Sequence, residues 1–521
     1  MTDLTAVLLE SATDKYTIVV AISVAAIASI LIVILFIANR IRAQRRLSHI
    51  PGPWLAGWTR FWMVRANISG RYHEILYDTN VKYGSLARIG PNHLLTSDPA
   101  VIRRMNAPRS PYRRAPWYSV FRFKPRADNI ITYLDEDKHE DLRRKMAPGY
   151  SGKEVPNVEE TIDKWVLEWV KLIERKYISS PSDTKLMDLA RQAQYFTLDV
   201  ISDLAFGDPF GDIVDDTDKF DYIKTTEEAA GPIGVLAIFP RVHKWIEQSR
   251  VIDLLAPSAK DKTGLGPILN ITRMRVEEQF AQTAEKQQPT MMGSFIRHGL
   301  TKEEAESESV LQVMAGSDTS ATVIRVVLLH VLTSPEILSK LRAEIDEGIC
   351  EGRISSPIRD SEARQLPYLQ ACIKEALRLW PPVVGMLQKI VAPEGDTIDG
   401  VFVPGGTLIA QNTWSLGRQP LLHGPDFALF KPERWLPTSS SSPANLAQME
   451  RDAELTFGYG RFKCLGQPVA LMELNKVFVE LLRRFEISVA RPEKPWRCES
   501  RGIFLMKEFW VRVQRREGVE G

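Results

Sequence analysis

The segment from Phe457 to Gly466 constrains the fold of this 521-residue chain more than any other. It reads Phe-Gly-Tyr-Gly-Arg-Phe-Lys-Cys-Leu-Gly, and glycines without a Cβ atom allow tight bends and close approach to a bulky group. Pro468 suits a first helical turn, and apolar residues follow at helical spacing as far as Leu481. The segment therefore predicts a tight loop that ends in Cys464 at the N-terminus of a helix.

The position of Cys464 bears on its chemistry. Free N–H groups and the positive end of the dipole at a helix N-terminus favour a thiolate, the form that a metal ligand needs. The alternative is an inert buried thiol, and the glycines, aromatic and basic residues of the loop argue against it. Neither disulfide nor zinc spacing relates the four cysteines, which favours a reducing compartment. They are Cys350, Cys372, Cys464 and Cys498.

A long helix is predicted from a capping box at Thr301 to Thr333, where Ser-Pro begins the next helix. Its apolar centre indicates a helix that crosses the core. The interruption Ala315–Ser320 reads Ala-Gly-Ser-Asp-Thr-Ser. Glycine costs about 1 kcal/mol in a helix, so we expect Gly316 to serve either the close approach of a ligand or the crossing of another helix. A hydroxyl here can bond the carbonyl one turn earlier and leave a polar notch.

The N-terminal segment contains an apolar run over 17–38 that is long enough to span a membrane. Four arginines follow it, so the positive-inside rule places the rest of the chain in the cytosol. We therefore expect a lumenal N-terminus over 1–16, a transmembrane helix over 17–38, a basic and proline-rich linker over 39–53 and a catalytic domain over 54–521.

Several further elements are predicted. Strands are expected at 86–89, at 93–96 and within 487–513, and a helix at 366–380. A hairpin with Pro404–Gly406 as its turn is expected to join 397–403 to 407–412. The serine-rich stretch 438–443 is expected to be an exposed loop.

The cysteine loop resembles the haem-binding loop of the cytochrome P-450 superfamily, Phe-x-x-Gly-x-x-x-Cys-x-Gly. The hexapeptide at 315–320 is similar to the oxygen-binding signature of the same family. Glu-x-x-Arg and the later Pro-Glu-Arg-Trp resemble its structural triad, here Glu375, Arg378 and Arg434. The resemblance implies a mainly α fold with small β-sheets, the cytochrome P-450 fold, preceded by one transmembrane helix.

The resemblance also implies roles for individual residues. The cofactor is haem b with Cys464 as its axial thiolate and metal ligand, and Phe457 belongs to the same loop. Asp318 and Thr319 are implied as catalytic residues that relay and hold protons. His139 and Arg143, one helical turn apart, are implied to bind the haem propionates. The family usually has a basic residue where this chain has Phe462, and Arg461 and Lys389 are the candidates to replace it.

The implied activity is insertion of one oxygen atom from O2 into a lipophilic small molecule. No dinucleotide or phosphate loop is found, which implies a separate NADPH-cytochrome P-450 reductase, with cytochrome b5 as an additional candidate donor. The endoplasmic reticulum membrane is the implied location. Loops with a displaced basic residue occur among filamentous-fungal members that include relatives of pisatin demethylase, which points to specialised metabolism.

Two other functions compete with this interpretation. A haem-thiolate isomerase or dehydratase needs no reductant, but such relatives often lack the threonine found here as Thr319. A membrane-tethered carrier of lipophilic molecules needs no chemistry at all. Nucleic acid is not an expected partner, because the net charge is only +2 and the basic residues are spread along the chain.

Overall fold

A computed structural model of the chain describes residues 2–517 except 251, 253–255, 264, 283–288 and 438–442, with side chains from Val20 onward. The predicted loop at 438–443 thus lies outside the described residues, apart from Pro443. The fold is mainly helical. Its longer helices are α1 Thr2–Arg46, α2 Phe61–Ile68, α3 Tyr72–Tyr83, α4 Pro99–Asn106, α5 Glu136–Tyr150, α6 Val158–Leu172, α7 Leu189–Phe206, α8 Tyr222–Ile238, α9 Pro240–Gln248, α10 Leu265–Ala281, α11 Lys302–Leu332, α12 Pro335–Cys350, α13 Pro367–Leu379, α14 Pro443–Ala453 and α15 Gln467–Arg484.

Short strands form small sheets, as predicted. The strands are β1 Leu86–Gly90, β2 His93–Thr96, β3 Arg113–Arg114, β4 Leu186–Asp188, β5 Gln388–Ile390, β6 Asp396–Ile398, β7 Val401–Val403, β8 Leu408–Gln411, β9 Phe485–Val489, β10 Arg497–Ser500, β11 Phe504–Lys507 and β12 Trp510–Arg515. One sheet has the order β1-β2-β8-β5-β3 and another the order β4-β12-β9, while β10-β11 and β6-β7 are pairs. The predicted strands at 86–89, 93–96 and 487–513 are confirmed.

The predicted hairpin around Pro404–Gly406 is wrong. Strand β6 pairs with β7 through a two-residue turn at Asp399 and Gly400, whose φ angles are 50° and 75°. An Asp-Gly pair with both residues at positive φ matches the twist of the flanking strands, which makes it a stronger turn than Pro-Gly-Gly. Strand β8 pairs instead with β2 and β5 in the five-stranded sheet.

Helix α11 runs through the core as predicted. Thr301 caps it with the expected capping box, and Thr333 follows its last residue. Its closest packing is against α7. A Cβ atom on Gly316 would lie 2.7 Å from Cγ1 of Ile201, so the glycine is needed for this helix crossing. Of the two explanations for Gly316, the contact with Ile201 supports the crossing helix.

Helix α13 carries Glu375 and Arg378 of the predicted triad, both buried, and Arg434 joins them from a later segment. Glu375 accepts hydrogen bonds from Arg378 Nε at 2.7 Å, Arg434 Nε at 2.8 Å and Trp435 Nε1 at 2.9 Å. Burial alone would raise the pKa of Glu375, but the guanidinium groups of Arg378 and Arg434 hold it below its ordinary value. The predicted triad is confirmed, and it ties the segment at Pro432–Trp435 to α13.

Helix α1 is long and apolar enough to cross a membrane from Val20 onward, and none of its most apolar stretch is buried in the fold. Helix α11 passes the same test of length and composition, but two-thirds of it is buried. A helix with an apolar surface on every side is typical of lipid contact rather than of packing on a protein core. Helix α11 is therefore a core helix, and α1 is the candidate membrane anchor.

Candidate haem site

The cysteine loop folds as a compact bend in front of α15. The backbone N–H of Cys464 donates to the carbonyl of Phe457 at 2.7 Å and closes the loop. Gly458 and Gly460 have positive φ angles of 76° and 60°. A Cβ atom on Gly460 would lie within 2.4 Å of the Asn106 carbonyl oxygen, so a larger residue has no room. The loop and the helix start at Gln467 are as predicted.

The thiol of Cys464 accepts from the backbone N–H groups of Gly466 and Gln467, the donors that its position predicts. Cys464 keeps accessible surface, yet the surrounding protein desolvates it enough to raise the pKa of its thiol. A side chain that lines an internal space has both properties. The N–H groups and Arg143 lower the pKa but do not outweigh burial. The N–H groups at the helix start therefore favour the thiolate, as predicted, and burial opposes them.

The centre of α11 borders an internal space on one side. Ala315 is exposed, although all residues at 307–313 and 320–329 of the same helix are buried. Thr319 Oγ1 donates to the Ala315 carbonyl at 2.8 Å, which is the predicted bond to the preceding turn. Ser320, the next residue, donates to the buried Glu473 of α15. Helix α11 thus contacts the helix that Cys464 precedes.

The carboxylate of Asp318 points away from this open face and toward α7. Its Oδ1 accepts from Nε2 of Gln194, whose Oε1 accepts from Arg325 Nη2 at 2.9 Å. Burial raises the pKa of Asp318 to about 6, and the charge of Arg325 opposes part of the rise. Asp318 and Thr319 are therefore adjacent in sequence, but Asp318 contacts Gln194 of α7 whereas Thr319 bonds the Ala315 carbonyl of its own helix. Sequence reasoning missed Gln194 and Arg325.

A group of cationic side chains surrounds Phe462, and we refer to Arg114, Lys389 and Arg461 as the cationic cluster. Lys389 Nζ lies 3.3 Å and Arg114 Cζ 4.5 Å from the centroid of the Phe462 ring. Arg461 Nη1 forms an ion pair with Glu136 Oε2 at 2.7 Å. A cation over an aromatic face is attracted by the ring quadrupole. The ring of Phe462 therefore attracts the side chains of Arg114 and Lys389 and helps to hold them close together.

The residues at the start of α5 join the same cluster. Asp135 caps the helix, and the ring of His139 lies 5.0 Å from that of Phe462. Burial, followed by the charge of Arg114, lowers the pKa of His139 to about 3, so this imidazole is neutral. Arg143 is close enough to Cys464 for their charges to interact. Sequence-predicted His139, Arg143, Lys389 and Arg461 are thus brought together.

The polar atoms of this cluster are incompletely satisfied. Buried nitrogen atoms without a hydrogen-bond partner in the described part of the chain include Lys389 Nζ, Arg114 Nε and His139 Nδ1. A buried cation without a partner is strongly unfavourable. A ligand with two carboxylates, as the haem propionates provide, would supply the missing acceptors. The donor set, together with a thiol at a helix start and an exposed face in a core helix, fits haem.

Arg114 was absent from the sequence-predicted set. It lies on the two-residue strand β3, and the pairing of β3 with β5 places Arg114 opposite Lys389. A contact between residues so far apart in the chain leaves no local pattern. The one available signal was an arginine immediately before the apolar stretch Ala115–Val120, most of which is buried.

The resemblance to the family also implies that four apolar residues line the substrate pocket, namely Met314, Val383, Val384 and Met386. They differ in their accessibility. Met314 and Val383 are partly exposed, whereas Val384 and Met386 are 3% exposed and belong to two core clusters. Met314 adjoins the exposed Ala315 on α11. Two of the four predicted pocket residues are therefore within reach of a ligand in this structure.

Comparison with known proteins agrees with the geometry. The family model for cytochrome P450 matches residues 51–511. A cytochrome P450 monooxygenase named aba1 from Botryotinia fuckeliana is 38% identical over 477 residues, 91% of this chain and 93% of its own. ABA1 of Pyricularia oryzae is 39% identical over 480 residues, with the same coverage. The monooxygenase abl1 of Leptosphaeria maculans is 35% identical over 470 residues, covering 89% and 82%. The chain belongs to the cytochrome P450 family and is an oxidoreductase of its monooxygenase class.

Proposed function

We propose that this protein is a membrane-anchored haem-thiolate monooxygenase that inserts one oxygen atom from O2 into a lipophilic small molecule. A separate NADPH-cytochrome P-450 reductase supplies the electrons, with cytochrome b5 as an additional candidate donor. The observation that carries the proposal is the placement of Cys464 at the start of α15, a helix that α11 contacts through Ser320 and Glu473. The fungal sources of the relatives support a role in specialised metabolism.

Haem b would be held from two directions. Cys464 would bind the iron through its thiolate, and the backbone N–H groups of Gly466 and Gln467 would stabilise the sulfur charge. The cationic cluster, with His139 and Arg143, would bind the propionates. Phe457 would contribute through its backbone, because its carbonyl fixes the bend that presents Cys464. Bound haem supplies the oxygen activation, and the protein supplies position and protons.

Proton delivery would use two neighbouring residues in different roles. Thr319 Oγ1 lies on the exposed face of α11, where it can hold a water molecule beside the reacting oxygen. Burial raises the pKa of Asp318 to about 6, so its titration range is shifted toward neutral pH. A carboxyl group with such a pKa can both accept and release a proton.

Membrane attachment would place the enzyme beside its reductase. Helix α1 would act as a single-pass anchor over 17–38, with 1–16 in the lumen of the endoplasmic reticulum and 54–521 in the cytosol. Its described apolar side chains are exposed, and Arg40, Arg42, Arg45 and Arg46 follow the span. A lipophilic substrate that partitions into the bilayer would be concentrated near the protein.

Two experiments test this proposal, a carbon monoxide spectrum of the reduced protein and then an assay of turnover. The reduced wild-type protein is expected to show the Soret band of a haem-thiolate carbon monoxide complex, and Cys464→Ser to lose it. Cys350→Ser is the matched control, because Cys350 is an exposed free cysteine far from the loop in sequence. A Cys464→Ser protein with an unchanged band and turnover would overturn the proposal.

Activity then separates the competing functions. Wild-type microsomes with purified reductase are expected to convert a member of a panel of lipophilic natural products, with a mass gain of one oxygen that requires NADPH. Conversion without NADPH would indicate a rearrangement, and binding without conversion would indicate a carrier. Deletion of residues 2–46 is expected to release the protein from membranes at alkaline pH, and retention would contradict the anchor.

A further inference from the structure

Arg325 is a charged residue in a mostly apolar stretch of α11. Its side chain lies in the core, where the residue is 2% exposed. A buried guanidinium is strongly unfavourable unless hydrogen bonds and an opposite charge compensate it. Within the described residues no ion pair involves Arg325, and its hydrogen bonds all go to neutral oxygen atoms. The opposite charge must therefore act on Arg325 from beyond these neutral groups.

Helix α7 supplies the oxygen atoms that accept from Arg325. Its Nε donates to the Ala190 carbonyl at 2.9 Å, and its Nη2 donates to the same carbonyl and, at 2.9 Å, to Oε1 of Gln194. A guanidinium has donors only, so the oxygen of the Gln194 amide must face Arg325. The amide nitrogen must then face the other way, where it donates to Oδ1 of Asp318. Arg325 thus determines which end of the amide contacts Asp318.

The orientation of the Gln194 amide decides how Asp318 can carry a proton. An amide NH2 group donates only, so Oδ1 of Asp318 can act only as an acceptor in this contact. Oδ2 makes no hydrogen bond within the described residues, and Asp318 keeps some accessible surface. Oδ2 is therefore the oxygen that is free to bind and release a proton. A hydrogen bond donated to a carboxylate also favours the ionised form.

Other titratable groups around Asp318 and Arg325 are neutral or already bonded. Arg191 of α7 and Glu227 of α8 bond each other at 3.0 Å and 3.2 Å. The other groups come from the start of α7, from α8 and from the β10–β11 pair, and they are Asp188, Tyr222, Cys498 and Lys507. Burial raises the pKa of the phenol and of the thiol, so both are neutral, while the aspartate caps α7 and the lysine pairs with Glu227. Among the described residues, Arg325 is thus the cation near Asp318 that has no carboxylate of its own.

We propose that Arg325 is a positioning residue for proton delivery, which acts on Asp318 through the amide of Gln194. By fixing the amide, Arg325 reserves Oδ1 of Asp318 as an acceptor and keeps the carboxylate ionised. Oδ2 then binds and releases the proton, and a proton that always binds the same oxygen is released in the same direction. This inference rests on the role proposed above for Asp318 in the monooxygenase reaction.

Infrared spectroscopy tests the relay from Arg325 to Asp318. The pH-difference spectrum of the full-length haem-loaded protein, minus that of the matching Asp318→Asn variant, isolates the C=O band of protonated Asp318. In wild type the band is expected to titrate near the pKa of about 6 that burial gives Asp318. Arg325→Met and Gln194→Leu should each raise the midpoint by about one to two pH units, because a hydrogen bond to the carboxylate is lost. Gln192→Leu is the control, because it removes an amide of the same helix that donates to another carboxylate, that of Asp216.

A double variant separates the relay from a direct effect of the arginine charge. R325M/Q194L should shift the midpoint no further than R325M, since both changes release the same hydrogen bond to Asp318. Additive shifts would overturn the relay, as would unshifted midpoints in the single variants or an equal shift in Q192L. Should Arg325→Met not fold, Gln194→Glu keeps an acceptor for Arg325 and places a second carboxylate beside Asp318. Its midpoint should then exceed that of Gln194→Leu, and a lower or equal midpoint would overturn the proposal.

Turnover distinguishes this inference from the proposed function on which it rests. The pH dependence of product formed per NADPH should move in Arg325→Met by the same interval as the infrared band, which a merely structural role of Arg325 would not cause. A shifted band with an unchanged pH dependence of turnover would support the relay and would overturn the role of Asp318 in proton delivery instead.

Discussion

Lys389 Nζ lies 3.3 Å from the centroid of the Phe462 ring, buried and without a hydrogen-bond partner in the described residues. Members of the family usually have a basic residue where this chain has Phe462. In this chain strand β5 carries the basic residue, Lys389, and places its Nζ atom over the Phe462 ring. A lysine of the sheet therefore lies beside the position of the cysteine loop that is usually basic.

Lys389→Met is expected to weaken haem retention and to stabilise the haem-free fold. The variant removes a partner of the propionates, which should cost about 2 kcal/mol of haem binding, or roughly 30-fold. It also removes a buried amine that has no hydrogen-bond partner in the described residues. Haem transfer to apomyoglobin and urea unfolding of the haem-free protein measure the two effects. Lys374→Met, at an exposed ion pair with Glu450, is the control, and loss of both properties together would contradict the assignment.

The same lysine predicts a pH dependence. Burial, followed by the charge of Arg114, lowers the pKa of Lys389 from 10.5 to about 6. Between these values the unfolded chain binds the proton and the folded chain does not. The free energy of unfolding of the haem-free protein should therefore rise with pH across this window. Urea unfolding of wild type minus Lys389→Met isolates the effect, and a flat difference across the window would refute it.

Thr319→Ala is expected to uncouple NADPH consumption from product formation. The variant removes the hydroxyl on the exposed face of α11, so product formed per NADPH should fall by about tenfold while hydrogen peroxide rises. Thr322→Ala is the matched control, because the buried Thr322 donates to the Asp318 carbonyl at 2.8 Å in the same way. Equal coupling in both variants would show that Thr319 has no special role.

Gly316→Ala is expected to destabilise the fold by about 1 to 3 kcal/mol, the usual cost of overpacking. Its Cβ atom would press on Ile201, and Ile201→Ala should recover much of the loss. Urea unfolding of the two single variants and the double variant measures the coupling. Additive effects would show that the glycine serves another purpose than the contact between α7 and α11.

Glu375→Gln is expected to prevent accumulation of the haem-loaded protein. Removing one partner of a buried ion network costs about 3 to 5 kcal/mol, since Arg378 and Arg434 would then be buried without their carboxylate. The yield of carbon monoxide complex per unit of protein measures the loss. Glu450→Gln, at an exposed ion pair, should accumulate normally. Normal yield of Glu375→Gln would show that the triad is dispensable.

Local patterns predicted the elements that depend on local chemistry. The capping box at Thr301, the helix after Cys464 and the bond from Thr319 to Ala315 each involve residues within one or two turns. The pairing of Glu375 with Arg434 was available only through the resemblance to the family. The wrong turn at Pro404–Gly406 was avoidable, because Asp399-Gly400 is the stronger hairpin signal.

Tertiary contacts explain what the sequence could not provide. Arg114 reaches the cationic cluster through strand pairing, and the purpose of Gly316 depends on Ile201, more than a hundred positions earlier. The desolvation of Cys464 likewise depends on elements from across the chain. Such properties arise from the whole packed interior, so no window of neighbouring residues encodes them.

The hexapeptide at 315–320 of α11 has an exposed side and a side that packs on α7, and this difference matters for enzyme engineering. Ala315 is exposed, so larger side chains can be accepted there without disturbing the core. Substitution libraries at Ala315 and at Met314 can therefore alter the substrate scope. Gly316 and Ser317 set the spacing to α7, the latter through the bond from Thr197 Oγ1 to its carbonyl at 3.0 Å. Randomising Gly316 and Ser317 is not expected to broaden the substrate scope. It is expected to lower the yield of folded enzyme.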